Sequence, residues 1–535
     1  MTTTRRPNIL WISFEDTNPF YGCYGDPVAR TPNVDALAAS GGRWPNAFST
    51  AGVCAPARSA VITGMYPVSI GTHHMRTTHP LRHALEAPTP YSAVIPHYVK
   101  CFTEYLRAAG YYCTNNSKTD YQFDSPRTAW DELGDTAHWR NRPDPAQPFF
   151  AVFNPTVTHE SGMWPENCPN PTFDPAAIRL PPYFPDTPKV RAAMARMYTN
   201  IETADRRMGE LLAQLEEDGL ADNTIVFHWS DHGPLPRGKR WPYDSGIRIP
   251  MIVRWPGGLK PGSVSDRLVS TIDLGPTVLS LAGVPIPAHL QGRAFLGPAE
   301  APPREYVYAS RDRYDESYDY VRAVRDRRFK YIRNGRPELP YLLYVPYRNR
   351  HPIMQEMYRC WQAGELSGPQ LLMFQERRPV EELYDTRADP WEVNNLAADP
   401  AFAADRDRLR AALDTWIDEV GDLGRLPETE MVRGWYPNGV RPKTSPPVAV
   451  PICAENPGTE PAPEGGTFRG PLDVQLYCAT QGASIAYTTD PGDAPRWRLY
   501  GAPLRMARGA TRLRARAIRI GYHESDELDA TFECA

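Results

Sequence analysis

Short, mostly apolar runs alternate with longer amphipathic segments through the first 300 residues of the chain. Such runs, bounded by polar residues, are typical of strands that are buried on both faces. Helical spacing after a Thr-Pro pair predicts helices over 32–40 and from Pro188 to the stop at Gly219. The alternation predicts an α/β fold whose large mixed, mostly parallel sheet is covered by helices. The predicted strands are Asn8–Phe14, Tyr111–Asn115, Phe149–Phe153, Ile225–Trp229 and Met251–Trp255.

The pattern changes after about residue 300. Short apolar runs separated by turns, Tyr306–Ala309, Val321–Arg325 and Phe329–Ile332, predict a smaller antiparallel sheet, closed by a helix over Phe402–Val420. The next stretch is rich in Pro and Gly, and strict alternation after it predicts an appended β-sandwich. We therefore predict a catalytic α/β domain at 1–300, an antiparallel subdomain at 301–420, a linker at 421–465 and a sandwich at 466–535.

Composition and charge narrow the classes of partner. The chain has 59 Lys and Arg against 63 Asp and Glu, so the net charge of −4 excludes a strongly basic nucleic-acid-binding surface. No apolar run reaches the roughly 18 residues of a membrane helix. The nine cysteines form no C-x-x-C pair, and the start, Met1 to Arg6, does not resemble a signal peptide. We expect a cytoplasmic protein without nucleic-acid or membrane partners, and its oligomeric state stays open.

Polar and charged side chains follow four of the predicted strands at the point where each strand ends. Because ligands of an open α/β sheet bind beyond the carboxyl ends of the strands, we expect these side chains to share one rim. The coincidence at four ends, more than any single residue, indicates a functional site. The residues are Glu15 and Asp16, then Ser117 to Asp120, then Asn154 and Thr158 to Ser161, then Ser230 to Gly233.

The donor types at this rim predict a site for one divalent cation. Glu15, Asp16 and Asp231 offer the carboxylate oxygens that Ca²⁺ and Mg²⁺ prefer. His232 offers a nitrogen, which Ca²⁺ uses rarely and Mn²⁺ accepts more readily. We predict Ca²⁺, with Mn²⁺ or Mg²⁺ as alternatives.

Further residues suit an anionic substrate. Lys118 and Lys239 could hold an anion, and His159 could act as a general acid. A cation and two lysines around one pocket favour a dianionic tetrahedral group, which is a sulfate or a phosphate. Cys54 is the candidate nucleophile, because Pro56 suits the first turn of a helix and the positive end of a helix lowers the pKa of a thiol.

The segment Cys54–Arg58 reads C-x-P-x-R, which is similar to the signature of type I sulfatases, and Ser59–Pro67 continues that signature. The chain thus resembles formylglycine-dependent sulfatases of the alkaline phosphatase superfamily, most of all the carbohydrate sulfatases grouped with heparan N-sulfatase. Residues from about 466 to 533 resemble the C-terminal module of chitobiase-type glycosidases. The other matching segments are Pro32–Ala38, Ser230–Gly233, Gly238–Trp241, Tyr243–Pro250, Glu382–Asp385, Asp389-Pro390 and Asn394–Leu396.

The resemblance implies an activity and a maturation partner. In the family this cysteine, here Cys54, is oxidised to formylglycine by a formylglycine-generating enzyme, and its hydrate attacks sulfur while held on the metal. Arg58, Lys118 and Lys239 then stabilise the transferring oxygens, and His159 or Lys239 protonates the leaving alcohol. The expected reaction is the hydrolysis of sulfate esters or sulfamates of a small sulfated sugar.

Three positions depart from the family pattern. Glu15-Asp16 stands where two Asp are usual, and Asp231-His232 stands where Asp-Asn is common. The usual Lys-x-His is Lys118-Thr119-Asp120. In the family's second step the other hydroxyl of the hydrate expels sulfate, and the base of that step could be Asp120 or one of the pair His73-His74.

The substrate is predicted from two further segments. Tyr308–Glu316 and Thr72–Arg76 match the carbohydrate sulfatases, and we predict that His74, Asp120, Arg311 and Arg313 contact the substrate. The Asp231-His232 pair also occurs in phosphonate hydrolases, so a phosphodiester or phosphonate monoester hydrolase is the alternative. A non-catalytic carbohydrate-binding protein is a third hypothesis, which the intact nucleophile motif disfavours.

Overall fold

The computed structural model describes residues 6–80 and 89–535. The segment on which the absence of a signal peptide was predicted lies, apart from Arg6, outside the described residues, so the cytoplasmic location stays a prediction. Within the described helices, none is both long and apolar enough to cross a bilayer. The chain forms two compact units, one from the described parts of Met1–Arg76, Pro80–Ala87 and Val152–Arg425, the other from Thr77–His79, Pro88–Ala151 and Leu426–Ala535.

The strands follow one another along the described chain in this order: β1 (Asn8–Phe14), β2 (Gly42–Arg43), β3 (Ala47–Phe48), β4 (Tyr112–Asn116), β5 (Glu132–Leu133), β6 (Phe149–Phe153), β7 (Thr224–Ser230), β8 (Arg248–Ile249), β9 (Met251–Arg254), β10 (Ser263–Val264), β11 (Val269–Ser270), β12 (Val307–Arg311), β13 (Val321–Arg325), β14 (Phe329–Asn334), β15 (Glu381–Asp385), β16 (Val448–Ile452), β17 (Gly465–Phe468), β18 (Asp473–Tyr477), β19 (Ser484–Thr488), β20 (Arg498–Leu499), β21 (Leu504–Arg505), β22 (Gly509–Ile518) and β23 (Leu528–Cys534).

The α-helices are α1 (Pro32–Ser40), α2 (Cys54–Thr63), α3 (Pro67–Ile70), α4 (Phe102–Ala108), α5 (Pro188–Glu217), α6 (Asp244–Ile247), α7 (Leu274–Leu281), α8 (Pro346–Asn349), α9 (Pro352–Gln362), α10 (Ala403–Val420) and α11 (Glu428–Trp435).

The first unit contains the strands that carry the candidate site. Its part of the large sheet has the order β10-β2-β9-β7-β1. The apolar runs of β1 and β7 are buried along their whole length, and the two strands pair in parallel from Asn8 opposite Thr224 to Phe14 opposite Ser230. The carboxyl ends of β1 and β7 therefore lie side by side.

A smaller sheet in the same unit has the antiparallel order β12-β13-β14-β15. Helix α10 packs on it through an apolar cluster in which the ring of Trp416 stacks on Tyr308 at 4.9 Å between centroids. The fourth strand, β15, lies on a segment that the sequence analysis used only as a family match. Its pattern of one apolar residue flanked by Glu, Tyr and Asp gives a weak strand signal.

The second unit contains the sandwich and a segment of the large sheet, in which β4 pairs in parallel with β5. The sandwich has two sheets, β16-β18-β21 and β17-β23-β22-β19-β20, which enclose an apolar core around Leu513 and Phe532. The predicted fold class is confirmed: a large mixed sheet with helices, a smaller antiparallel sheet and an appended β-sandwich.

The prediction of an irregular linker over 421–465 is wrong for two stretches, because α10 is followed by α11 and then by β16. Strand β16 contains Pro451, and the linker was predicted because this stretch is rich in proline and glycine. Here the strand lies at the edge of its sheet, where a missing N–H costs little.

The sandwich also shares its unit with part of the segment that was assigned to the catalytic domain. Lys100 Nζ donates to the Gly482 carbonyl at 2.5 Å and to Ser484 Oγ at 2.9 Å. Arg107 Nη2 donates to the Trp497 carbonyl at 2.8 Å, and Arg127 pairs with Glu524 at the same distance. The structure thus groups residues 89–151 with the sandwich, which sequence patterns do not reveal.

A chain that ends at Pro446 is therefore expected to lose stability in the second unit. Lys100 Nζ loses its acceptors at Gly482 and Ser484, and Arg107 Nη2 loses the Trp497 carbonyl. Each hydrogen bond from a charged group contributes about 1.5–3 kcal/mol. We expect a melting temperature several degrees lower by scanning calorimetry. Arg505→Gln, which removes an exposed ion pair with Asp473, is the control and should melt like the wild type. An unchanged melting temperature after truncation would show that the sandwich folds independently.

Candidate active site

The acidic residues predicted as metal ligands meet where β1 and β7 end. Asp16 and Asp231 are fully buried, and the Asp16 amide donates to Asp231 Oδ1 at 3.0 Å. Asp16 has a positive φ of 47°, a strained conformation of the kind that concentrates at functional sites. The parallel register of β1 and β7 is thus sufficient to bring two acidic residues 215 positions apart in sequence into contact.

Cys54 and His232 complete this group. Cys54 is the first residue of α2, as predicted, and its Sγ lies 3.1 Å from His232 Nε2. The same thiol lies 3.7 Å from Glu15 Oε1 and 3.9 Å from Asp16 Oδ1. His232 Nδ1 faces the Gly233 carbonyl at 3.0 Å, which can only accept. Nδ1 therefore carries the proton, and the lone pair of Nε2 points towards the site, as in metal-binding histidines.

These donors fit one divalent cation. Ligand atoms of Asp16, Cys54, Asp231 and His232 lie within 4.8 Å of one another, and so do those of Glu15, Cys54 and His159. Three carboxylates and an imidazole suit a hard divalent ion, and the carboxylates would repel one another without positive charge nearby.

Lys239 and Arg58 supply part of that positive charge. Lys239 Nζ lies 2.5 Å from Asp16 Oδ2, and Arg58 Nε donates to Asp231 Oδ2 at 3.0 Å. Burial raises the pKa of Asp16, but the charge of Lys239 is the largest of the interactions that oppose it, and the Asp16 pKa is lowered. The Asp16 carboxylate is consequently held ionised and ready to bind a cation.

His159 lies on the same side of the site as Lys239. Its Nε2 is 3.5 Å from Lys239 Nζ and 3.9 Å from Asp16 Oδ2, and its Nδ1 is 2.7 Å from Ser161 Oγ. Burial, followed by the charge of Lys239, lowers the pKa of His159. Its side chain remains 20% exposed, so a substrate can reach the ring.

Asn154 and Glu160, for which the sequence predicts no chemical role, both belong to the site. Asn154 Oδ1 accepts from Ser13 Oγ at 2.6 Å and from Arg58 Nη1 at 3.3 Å. The Glu160 amide donates to Asp16 Oδ2 at 2.7 Å, and its carboxylate pairs with Lys239 at 3.0 Å. Both follow the β6 strand, and the strand-end rule had placed them at the rim without giving either residue a chemical role.

A buried ion-pair chain continues from Glu160 away from the metal ligands. Arg240 donates to both Glu160 oxygens, at 2.9 and 3.2 Å, and to Asp315 Oδ2 at 3.2 Å. Arg76 Nε pairs with the other Asp315 oxygen at 2.6 Å. Arg240 adjoins Lys239 in a family motif, but the pairing with Asp315, 75 residues later, has no signal in the sequence.

The structure gives three of the predicted substrate contacts partners within the protein. Arg311 is buried against Asp319 at 3.0 Å, and its guanidinium lies 3.7 Å from the Trp241 ring centroid. Arg313 Nη1 donates to the Met75 carbonyl at 2.9 Å, and the Arg313 amide donates to His74 Nδ1 at 3.3 Å. These side chains position the segment beside Asp315, and their contact with substrate stays a prediction.

Lys118 and Asp120 follow β4 in the second unit. Lys118 Nζ lies 3.8 Å from Asp120 Oδ2, both side chains are partly exposed, and Asp120 has a positive φ of 54°. Their predicted roles as anion ligand, substrate contact and base stay predictions.

Comparison with known proteins identifies the family. The sulfatase family matches residues 7–143 and 113–284, and an ulvan-active sulfatase of Formosa agariphila is 41% identical over 98% of this chain and 91% of its own. The chain belongs to the sulfatase family. It is a sulfatase, a hydrolase of sulfuric esters, and it resembles the carbohydrate sulfatases as predicted.

The sulfatase also matches two further family models. Residues 232–344 match the C-terminal region of N-sulphoglucosamine sulphohydrolase, and residues 463–528 match the chitobiase/β-hexosaminidase C-terminal domain. A structure in complex with its substrate D-glucosamine-2-N,6-O-disulfate covers 78% of this chain and 98% of its own, with a TM-score of 0.55 at 19% identity.

A phosphonate monoester hydrolase from Silicibacter pomeroyi superposes equally well. It covers 78% of this chain and 96% of its own, with a TM-score of 0.55 at 20% identity. At these identities the two likenesses show the shared fold alone, so the sulfatase assignment rests on the family match and on the relative at 41% identity.

Proposed function

We propose that this sulfatase hydrolyses sulfate esters or sulfamates of a sugar, with one divalent cation, Ca²⁺ first, and with Cys54 matured to formylglycine. The placement of Cys54 at the start of a buried helix, 3.1 Å from His232 and facing Glu15 and Asp16, carries this proposal. A formylglycine-generating enzyme is the partner that this maturation requires. The curated relative at 41% identity is named for its action on ulvan, and a sulfated polysaccharide is the substrate class proposed here.

The bound cation would supply Lewis acidity towards the sulfate oxygens and would acidify a hydroxyl at position 54. Glu15, Asp16, Asp231 and His232 would hold it. Arg58 and Lys239 are charged, buried and within 3 Å of these carboxylates, so they can also face the oxygens of a bound sulfate. Their fixed positions require little reorganisation when negative charge develops.

His159 is proposed to hold the proton that the leaving oxygen takes. Its Nε2 lies at the exposed side of the site, and Ser161 Oγ at 2.7 Å fixes the ring through Nδ1. The lowered pKa makes the imidazolium a stronger acid than an exposed histidine. A leaving group with a high pKa, such as a sugar hydroxyl, needs that proton most.

His159→Asn is therefore expected to affect substrates unequally. With a sugar sulfate we expect kcat/KM to fall by about 10²- to 10⁴-fold, because the alkoxide leaves without a proton. With a nitrophenyl sulfate, whose leaving group needs no proton, the fall should be much smaller. His79→Asn, at an exposed position, is the control. Equal losses on both substrates would assign His159 a role other than general acid.

The phosphonate hydrolase alternative is tested by one parallel assay. Enzyme matured with a formylglycine-generating enzyme is given a sugar sulfate and a phenylphosphonate monoester under the same conditions. We expect the larger kcat/KM for the sulfate. A larger value for the phosphonate would favour the alternative, for which the Asp231-His232 pair is the observation in support.

A further inference from the structure

A second cleft lies beside the candidate active site in the first unit. Its volume is about 450 Å³, within the range of pockets that hold small ligands. It is separated from His159 by one aromatic side chain: the Tyr347 ring lies 6.3 Å from the His159 ring and 5.4 Å from the Trp164 ring, between centroids. Trp164 lines this cleft, which we call the Trp164 cleft.

The Trp164 cleft is lined by an excess of positive charge. Lys189, Arg196 and Arg350 line it, against one carboxylate, that of the exposed Glu166. Lys189 lies 3.3 Å from Glu356, which is itself paired with Arg359, and Arg196 Nε donates to the Cys168 carbonyl at 3.0 Å. The net charge of the lining favours an anionic occupant.

Two helices begin at the cleft, and their N-termini add to its positive electrostatic potential. Lys189 and Ala192 lie in the first turns of α5, and Pro352 and Gln355 lie in the first turn of α9. The N-terminus of a helix carries a partial positive charge and attracts anions.

Two donor groups in the cleft wall have no acceptor among the residues that the structure describes. Trp164 is 7% exposed, and its Nε1 has no hydrogen-bond partner within the described chain. The Arg350 guanidinium lies 4.2 Å above the Trp164 ring, and among the residues that the structure describes it makes neither an ion pair nor a side-chain hydrogen bond. An oxygen of a sulfate or carboxylate group is the acceptor that both donors would take.

We infer that the Trp164 cleft is a subsite for a sulfate- or carboxylate-bearing sugar residue that neighbours the residue being desulfated. The inference rests on the proposed function, because a polymeric substrate would extend from the active site past Tyr347 into this cleft. The cleft then selects oligosaccharides with repeated negative charges over small sulfate esters. Its residues act on substrate affinity and not on the bond that is cleaved.

The test compares two substrates and two double variants. Lys189→Gln with Arg350→Gln removes two exposed charges from the cleft. Arg206→Gln with Arg207→Gln removes two exposed charges elsewhere on α5 and is the matched control. For each enzyme, kcat/KM is measured with a sulfated tetrasaccharide from ulvan and with nitrophenyl sulfate.

We expect the ratio of the two kcat/KM values, tetrasaccharide over nitrophenyl sulfate, to fall about tenfold in the cleft variant, mainly through KM. In the control variant the ratio should stay within twofold of wild type. An unchanged ratio in the cleft variant, or an equal fall in both variants, would overturn the subsite.

A failure of the proposed function is recognised separately. If wild-type enzyme, matured with a formylglycine-generating enzyme, releases no sulfate from either substrate, the proposed function is wrong. The subsite is then judged by calorimetric binding of the same tetrasaccharide. A Kd about tenfold weaker in the cleft variant than in the control supports it, and equal Kd values overturn it.

Discussion

Cys54→Ala is expected to abolish sulfate ester hydrolysis while leaving the protein folded. The variant removes the residue from which the nucleophile is made, but it leaves Arg58, Lys239 and the carboxylates in place. We expect kcat to fall by about 10⁴-fold or more, as when an enzyme loses its nucleophile. The loss of stability should be near 1 kcal/mol, because only one buried sulfur atom is removed.

Cys23→Ala is the matched control for this variant. The Cys23 thiol lies in the same unit outside the site, and burial together with the nearby Asp35 carboxylate raises its pKa to about 12. It therefore stays protonated and unreactive at neutral pH. Initial rates and thermal melts of the two variants separate the outcomes. Residual activity above a hundredth of wild type in Cys54→Ala would contradict the role of Cys54.

Asp231→Asn is expected to release the cation and to lower kcat/KM by about 10³-fold or more. The side chain keeps its size, but the donor set loses one of its charges, and Arg58 Nε loses its charged acceptor at 3.0 Å. The expected result is less than a tenth of the wild-type metal content by elemental analysis, together with the loss of rate.

Asp266→Asn controls for the change of a carboxylate to an amide. Asp266 has a side chain that is 79% exposed and pairs with Arg327 at the surface, so metal content and rate should both be unchanged. If Asp231→Asn retains the wild-type metal content and rate, Asp231 is not a ligand and the metal site has been assigned to the wrong residues.

The sequence predicted the part of the site that depends on strand ends. Fully buried strands such as β1 and β7 have a strong apolar signal, and their parallel pairing forces Asp16 and Asp231 together. The helix that presents Cys54 was equally predictable, because Pro56 marks its first turn. Local sequence patterns were therefore sufficient to predict the positions of Asp16, Asp231 and Cys54.

Other parts of the structure depend on pairings between distant segments. The Glu160–Arg240–Asp315 chain joins three loops, and no local pattern distinguishes these charges from solvated ones. Strand β16 contains a proline that local rules interpret as a loop, and only its edge position makes it acceptable. Residues 89–151 group with the sandwich through side-chain hydrogen bonds to backbone carbonyls, such as that of Arg107, which sequence patterns do not show.

The most direct test of the central claim relates activity to the chemical state of residue 54. Enzyme is produced with different amounts of formylglycine-generating enzyme, and peptide mass spectrometry gives the fraction of the Cys54 peptide that carries an aldehyde. We expect the initial rate on a sugar sulfate to rise in proportion to that fraction and to be zero where no residue 54 carries the aldehyde. Full activity in a preparation whose residue 54 is entirely unmodified cysteine would contradict it.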